Sequence, residues 1–448
     1  MMKKAILLVI TLAAVVILNN CSSNPTISGN DENNPFTGII VRTAEGVSRQ
    51  AVTDMSSEHM DSLVRGNINF AFDMYEHLAA LTENQGKNVF FSPYSISIAL
   101  AMTLAGAEGE TEKEMHSALR FALAEPDLHR AFNKLDMEME SAAKQQDNVT
   151  LSVVNSLWGE YTWPFRLSFL NTLAEQYGAG MNVVDFIGAP DPSRILINNW
   201  VEKQTQSKIK NLLPPESVDD NTHLVLTNSI YFLADWQKKF NSEYTKDKTF
   251  TKADGSTVTA IQMAMAGNDT NVTLLYAENE SKTIKAIELP YAGNRFSMVA
   301  VMPVDDDFAK FEENFTAQEY YKIITGLDST KLQMSLPRFS FGTPSVSLKE
   351  PLKNMGMKLA FDVSADFSGI DGTKLLYVDN VYHKAFIEVN EQGTEASAAT
   401  CVVLNFKGIG SNPKFLANRP FIYLIRDKVT CAVIFMGRVM DPTDKGEL

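Results

Sequence analysis

From Leu63 to Pro442 helical and strand-like patterns follow one another with no second linker and no internal repeat. That continuity is the strongest constraint on the fold. It leaves one α+β domain of about 380 residues, large for a single core. The composition permits it, because 45% of the chain is hydrophobic. Phe70, Met74, Leu78 and Leu81 fall at helical spacing. Ser92-Pro93 opens a second helical run through Ser95, Ile98, Met102 and Ala105, whose small residues suit close packing. Ile195 to Leu213 reads as an amphipathic helix stopped by Pro214-Pro215. Leu224–Phe232, a stretch of apolar and β-branched residues, and Phe296–Met302 are of the kind buried in a sheet. Leu375 to Asn390 is strand-like, with Ala385, Ile387 and Val389 on one face, and Thr430 to Val439 reads as a last buried strand that includes Cys431.

The first twenty residues have a different character. Lys3 and Lys4 precede an apolar run from Ala5 to Leu18, broken only by Thr11. The run is short for a membrane span and has the form of a secretory signal over 1–20. Cys21 follows, then Ser22-Ser23-Asn24. This resembles a bacterial lipoprotein signal, in which the cysteine becomes the lipidated first residue. An ordinary signal peptide or an uncleaved anchor are the other readings, and Asn19-Asn20 depart from the small residues usual before that cysteine. Residues 21–62 then read as a lipidated cysteine and a polar tether, 63–442 as the folded domain and 443–448 as a short tail. The expected location is the outer membrane, on its periplasmic side or at the cell surface.

The net charge of −14 disfavours a nucleic-acid partner, since phosphates would be repelled. Only Cys401 and Cys431 follow Cys21, so no disulfide framework is possible. The chain lacks HExxH, GxSxG, a P-loop and CxxC, and no two of its six histidines stand three or four apart. No metal and no cofactor is therefore expected. A catalytic triad can be assembled from distant residues, so a surface hydrolase stays as a minor alternative.

The stretch Glu391 to Gly408 carries the functional signal. Read as a strand, Thr394, Ala396, Ala398, Thr400, Val402 and Leu404 form one uncharged face that grows more apolar along its length. Glu395, Ser397, Ala399, Cys401, Val403 and Asn405 form the other. A short Ala-rich helix or a plain loop are the competing readings. Neither accounts for the alternation, nor for an apolar run at 401–404 in a loop.

Motifs spread along 63–442 resemble the serpin family. They are Asn88-Val89-Phe90-Phe91-Ser92-Pro93-Tyr94-Ser95-Ile96, Leu226-Thr227-Asn228-Ser229-Ile230-Tyr231-Phe232 with Trp236, and Leu289-Pro290-Tyr291. Leu336-Pro337-Arg338-Phe339 and Ala365-Asp366-Phe367-Ser368-Gly369-Ile370 follow. His383-Lys384-Ala385 then leads into Asn390-Glu391-Gln392-Gly393-Thr394-Glu395-Ala396, and Asn418-Arg419-Pro420-Phe421 and Phe435-Met436-Gly437-Arg438-Val439 complete the series. Leu233-Ala234 is a departure, standing where many relatives have Lys-Gly.

The resemblance implies a serpin fold: three β-sheets, about nine helices and an exposed reactive-centre loop. It implies a monomeric inhibitor, not an enzyme, whose partners are serine or cysteine proteases. The protease cleaves the loop, becomes trapped as an acyl-enzyme, and is carried away as the loop inserts into the large sheet. By the same resemblance Glu391 and Gly393 to Thr400 (Gly393, Thr394, Glu395, Ala396, Ser397, Ala398, Ala399, Thr400) form the hinge. Lys407-Gly408 is the reactive bond, with Phe406 and Ile409 as alternatives, and a lysine there suits trypsin-like proteases. Ser92, Ser95, Asn228, Trp236 and His383 match the region where the sheet opens. Cys401 faces outward after insertion and has no assigned chemistry. A non-inhibitory surface binding module is the main alternative; bulky or charged residues on the inserting face would favour it, and none occur.

Overall fold

The computed structural model describes residues 38–146, 148–266, 271–394 and 412–447. Two hydrogen-bonded sheets dominate. The first runs β1 (Ile40–Arg42), β4 (Met181–Val184), β3 (Val149–Glu160), β5 (Leu224–Asp235), β14 (Asn380–Val389), β12 (Phe339–Gly342). β13 (Val346–Ser347) adds to β14, and β15 (Gly393–Thr394) adds to β5. The second sheet begins with β2 (Val89–Phe91), β18 (Val433–Val439), β17 (Phe421–Asp427), β10 (Phe296–Pro303) and β9 (Ile284–Pro290). It continues through β8 (Val272–Glu278), β11 (Asp328–Pro337), β7 (Thr257–Ala264) and β6 (Asn241–Thr251), with β16 (Lys414–Leu416) on β11. Three sheets were expected. Strand β11 joins what would be two of them, pairing with β8 through Asp328–Leu332 and with β7 through Leu336–Pro337.

Ten α-helices lie among the described residues. They are α1 (Ser57–Ala80), α2 (Pro93–Leu104), α3 (Gly109–Ala118), α4 (Asp127–Lys144), α5 (Leu167–Tyr177), α6 (Pro190–Gln204), α7 (Phe308–Asn314), α8 (Ala317–Thr325), α9 (Lys349–Asn354) and α10 (Ser368–Asp371). Ser56 caps α1 by accepting from the His59 N–H, and Phe70, Met74 and Leu78 are buried as their spacing implies. In α2 every residue is buried, with Ser92 as its cap and Pro93 in the first turn. The main core lies between the first sheet, helices α1, α2 and α4, and the second sheet; a smaller one packs Trp158, Val225 and Tyr382 of the first sheet against Ile197 and Val201 of α6.

Three expectations need correction. The helix expected at Ile195–Leu213 begins at Pro190 and ends at Gln204. Thr205 stops it, donating to the Val201 carbonyl and accepting from the Ile209 N–H, and Gln206 and Ser207 take left-handed φ. Ile209, Leu212 and Leu213 are buried as loop residues, so their apolar spacing imitated a helix. Cys431 is not in a strand: it is an exposed residue of the turn before β18, at φ 64°. The tether does not extend to residue 62. Ile40–Arg42 pairs antiparallel with Met181–Val183, Gln50 donates to the Glu175 carbonyl, and Arg49 reaches Asp136 at 2.8 Å. The tail is likewise tied down, since Gly342 bonds Lys445 and Glu447 through the backbone.

Among the described residues no helix is long and apolar enough to cross a membrane, and no group of side chains is arranged to hold a metal ion. The signal at 1–20 and Cys21 lie outside the described residues.

Candidate functional site: the seam in the first sheet

The site is built where two parallel strands meet and then part. β5 and β14 pair in parallel from Val225 opposite Asn380 to Ile230 opposite Ala385. Above that point β14 keeps its partner on the far side, Phe386–Val389 pairing with Phe339–Gly342. β5 continues upward, paired with β3 as far as Ala234 opposite Val149. Its seam-facing edge at the top is taken by β15, Thr394 opposite Ala234 and Gly393 opposite Asp235, running antiparallel.

The chain reverses direction to enter this gap. The Asn390 side-chain oxygen accepts from the N–H groups of Gln392 and Gly393, and the Gly393 carbonyl accepts from the Asn390 N–H. Gly393 lies so close to β5 that a Cβ would stand 2.0 Å from the Ala234 carbonyl oxygen, so the position excludes any side chain. Trp236 fastens the turn: its N–H donates to the Gln392 carbonyl at 2.7 Å and its indole N–H to the Asn390 carbonyl at 2.9 Å. Its ring stacks on Tyr291 with centroids 4.5 Å apart. Glu391 is buried, and its carbonyl accepts from the Phe240 N–H. Burial pushes its carboxyl up, but the hydrogen bond and charge of Arg338, 2.5 Å away, outweigh this and hold it below its ordinary value.

Thr394 is 3% exposed, and its hydroxyl lies 3.0 Å from that of Tyr291. Burial holds the Tyr291 phenol far above its ordinary value, so it stays a neutral hydroxyl. The inward position of Thr394 agrees with the face assigned to it from alternation. Glu395, Ala396, Ser397, Ala398, Ala399, Thr400, Cys401, Phe406, Lys407, Gly408 and Ile409 lie outside the described residues.

Midway down the seam the expected polar group is assembled. His383 and Asn228 stand directly opposite each other on β14 and β5. His383 Nε2 accepts from the Ser92 N–H at 3.2 Å, which leaves the ring proton on Nδ1 to donate to Asn228 Oδ1 at 2.5 Å. Asn228 Nδ2 donates to Ser95 Oγ at 2.6 Å, and Ser92 Oγ donates to the Ile434 carbonyl at 2.6 Å. Burial pushes the His383 imidazole down to about 3, against the raising effect of its bond to Asn228, so it is neutral at pH 7. Asn155 belongs to the same network, its Oδ1 accepting from Ser95 Oγ and from Asn228 Nδ2.

Sequence reasoning missed Asn155, Tyr291 and Arg338. Tyr291 and Arg338 stand in motifs that were read for the fold alone. Asn155 had no distinguishing signal, because its strand also carries Thr150, Ser152 and Ser156.

Comparison with known proteins agrees with this geometry. Residues 65–442 match the family model Serpin (serine protease inhibitor). The chain is 36% identical over 406 residues to human Serpin B3, covering 86% of this chain and 100% of that one. It is also 36% identical over 452 residues to an uncharacterised serpin-like protein of Thermococcus kodakarensis, covering 99% of this chain and 100% of its relative. Among solved structures, maspin superposes with a TM-score of 0.77 at 26% identity over 86% of this chain and all of maspin. The thermophilic serpin tengpin in its native state gives 0.75 at 27% identity, over 88% of this chain and 97% of tengpin. Matched over most of its length in sequence and in fold, the chain belongs to the serpin family, whose members are protease inhibitors and not enzymes.

Proposed function

We propose that this serpin inhibits trypsin-like proteases, and neighbouring serine or cysteine proteases, as a suicide substrate. The observation that carries the reading is the arrangement of β15 between β5 and β14. A strand continuing from Thr394 runs antiparallel to both of its parallel neighbours. Insertion therefore exchanges one parallel ladder for two antiparallel ones, the better-aligned pairing. The register of Thr394 with Ala234, carried down the strand, brings Ala398 opposite Ile230, Thr400 opposite Asn228 and Leu404 opposite Leu224. Val402 and Leu404 would then lie on the buried face, where full burial of such a side chain is worth about 1.5–3 kcal/mol.

Lys407 is the specificity residue in this reading. Cleavage at Lys407-Gly408 leaves the protease acylated on Lys407. From Thr394 to Lys407 an extended strand reaches about 45 Å, enough to carry the protease along the whole sheet before water releases it. Mixed with trypsin, the protein should give a complex that survives boiling in SDS, and Lys407→Ala should greatly weaken trypsin inhibition. Clean cleavage that leaves trypsin active would refute the inhibitory reading. Trypsin inhibition unchanged in Lys407→Ala would move the reactive bond to Phe406 or Ile409.

The anchoring reading joins this one. With Cys21 lipidated and the signal at 1–20 removed, the inhibitor would be held at a bacterial outer membrane. Cys21→Ala should release it from the membrane fraction or block its maturation. Wild-type protein found wholly soluble and beginning upstream of Cys21 would remove the anchor.

A further inference from the structure

Insertion has to open a seam that has three levels, two of them closed. The top is already parted by Gly393–Thr394, and the middle is bridged by His383 and Asn228. The bottom is closed by a group that no motif marks. Asp379, one residue before β14, turns its carboxylate across to the start of β5. Its Oδ2 accepts from the N–H of His223 at 2.9 Å and from the N–H of Leu224 at 3.3 Å. Its own N–H donates to the Leu224 carbonyl at 3.2 Å, and its carbonyl accepts from Lys349 Nζ at 3.0 Å. The first paired residues of the two strands, Val225 and Asn380, lie immediately above.

We propose that Asp379 is a positioning residue for inhibition: a clasp at the base of the seam that opens only when the inserted strand reaches its full depth. This rests on the strand-insertion reading given above. In the register set by Thr394 opposite Ala234, Leu404 arrives opposite Leu224, the residue that Asp379 holds. Adjacent strands lie about 4.8 Å apart, so a strand placed between β5 and β14 separates them to nearly 10 Å. No rotamer of an aspartate spans that gap while its backbone stays at the start of β14. All the bonds from Asp379 to His223 and Leu224 are therefore present in the uncut protein and absent after complete insertion. A group with this property biases one state only. It stabilises the native form, slows spontaneous insertion of the uncut loop, and contributes nothing to the inserted form.

The test compares Asp379→Ala and Asp379→Asn with wild type in two forms, native and cut within 395–411 by a protease that is not trapped. Guanidinium unfolding is measured on each form, and conversion of the uncut protein to the inserted form is followed during mild heating. Charge-assisted bonds of this kind are worth enough for about a tenfold change in an equilibrium or rate. The uncut Asp379→Ala protein should unfold at lower denaturant and convert about tenfold faster. Asp379→Asn keeps one carbonyl acceptor and should fall between. The cut forms of all three should unfold at the same denaturant concentration. A loss of equal size in the cut and uncut forms would make Asp379 an ordinary structural residue, and no change in the uncut form would remove the clasp. If Asp379→Ala fails to fold, Asp379→Asn alone decides by the same comparison. Wild type that gains no stability when cut would overturn the insertion reading itself and the clasp with it.

Discussion

Thr394 shows how much a single side chain decides at this site. It is small, uncharged and buried, with its hydroxyl on Tyr291 beneath the sheet. An arginine there would bring a charge into an apolar interior, at a cost of several kcal/mol when unpaired. Thr394→Arg should therefore turn the inhibitor into a substrate, cut by trypsin with no stable complex. Glu395 lies on the opposite face of the same alternation, so Glu395→Arg should inhibit nearly as well as wild type. The ratio of inhibitor consumed to protease inactivated measures both, and equal, normal ratios would exclude strand insertion. Thr394 was legible because a period of two needs only neighbouring residues. Its partner Tyr291 was not, since a sequence separation of 103 is bridged by folding alone.

At the scale of elements, the seam makes stability depend on pH. His383 is held neutral between β5 and β14, with its pKa lowered from an ordinary 6.5 to about 3. Between those values the unfolded chain binds a proton at this residue and the folded chain does not. Stability contributed here is full above about pH 6.5 and declines as the pH falls toward 3, by up to about 1.4 kcal/mol per unit. His383→Gln removes the titrating group, so between pH 6.5 and 5 its urea midpoint should fall less steeply than that of wild type. Equal slopes would mean that His383 is not held neutral. Buried strands such as β5 and β10 were readable because burial on both faces leaves a largely apolar run. The end of α6 was not, because buried loop residues Ile209, Leu212 and Leu213 continue its spacing. The edge strand β1 was hidden for the opposite reason. It is three residues long, partly exposed, and set in a polar segment, so its partner Met181–Val183 gives it a structure that its own pattern does not announce.

On the scale of the whole molecule, the mix of helical and strand-like patterns correctly implied an α+β fold, and motif order correctly implied the family. The joining of strands through β11 into one second sheet was beyond reach, because it depends on where one strand changes partners. The central claim also lives at this scale: the uncut fold holds a parallel seam that one more strand would complete. On the insertion reading the fold is kinetically retained short of its most stable arrangement. The direct measurement is thermal unfolding of the native protein beside the same protein cut within 395–411, with both fragments kept together. The account predicts that the cut protein unfolds at a markedly higher temperature than the native one, although it has lost a covalent bond. An unchanged or lower unfolding temperature would show that no strand is inserted, and would contradict it.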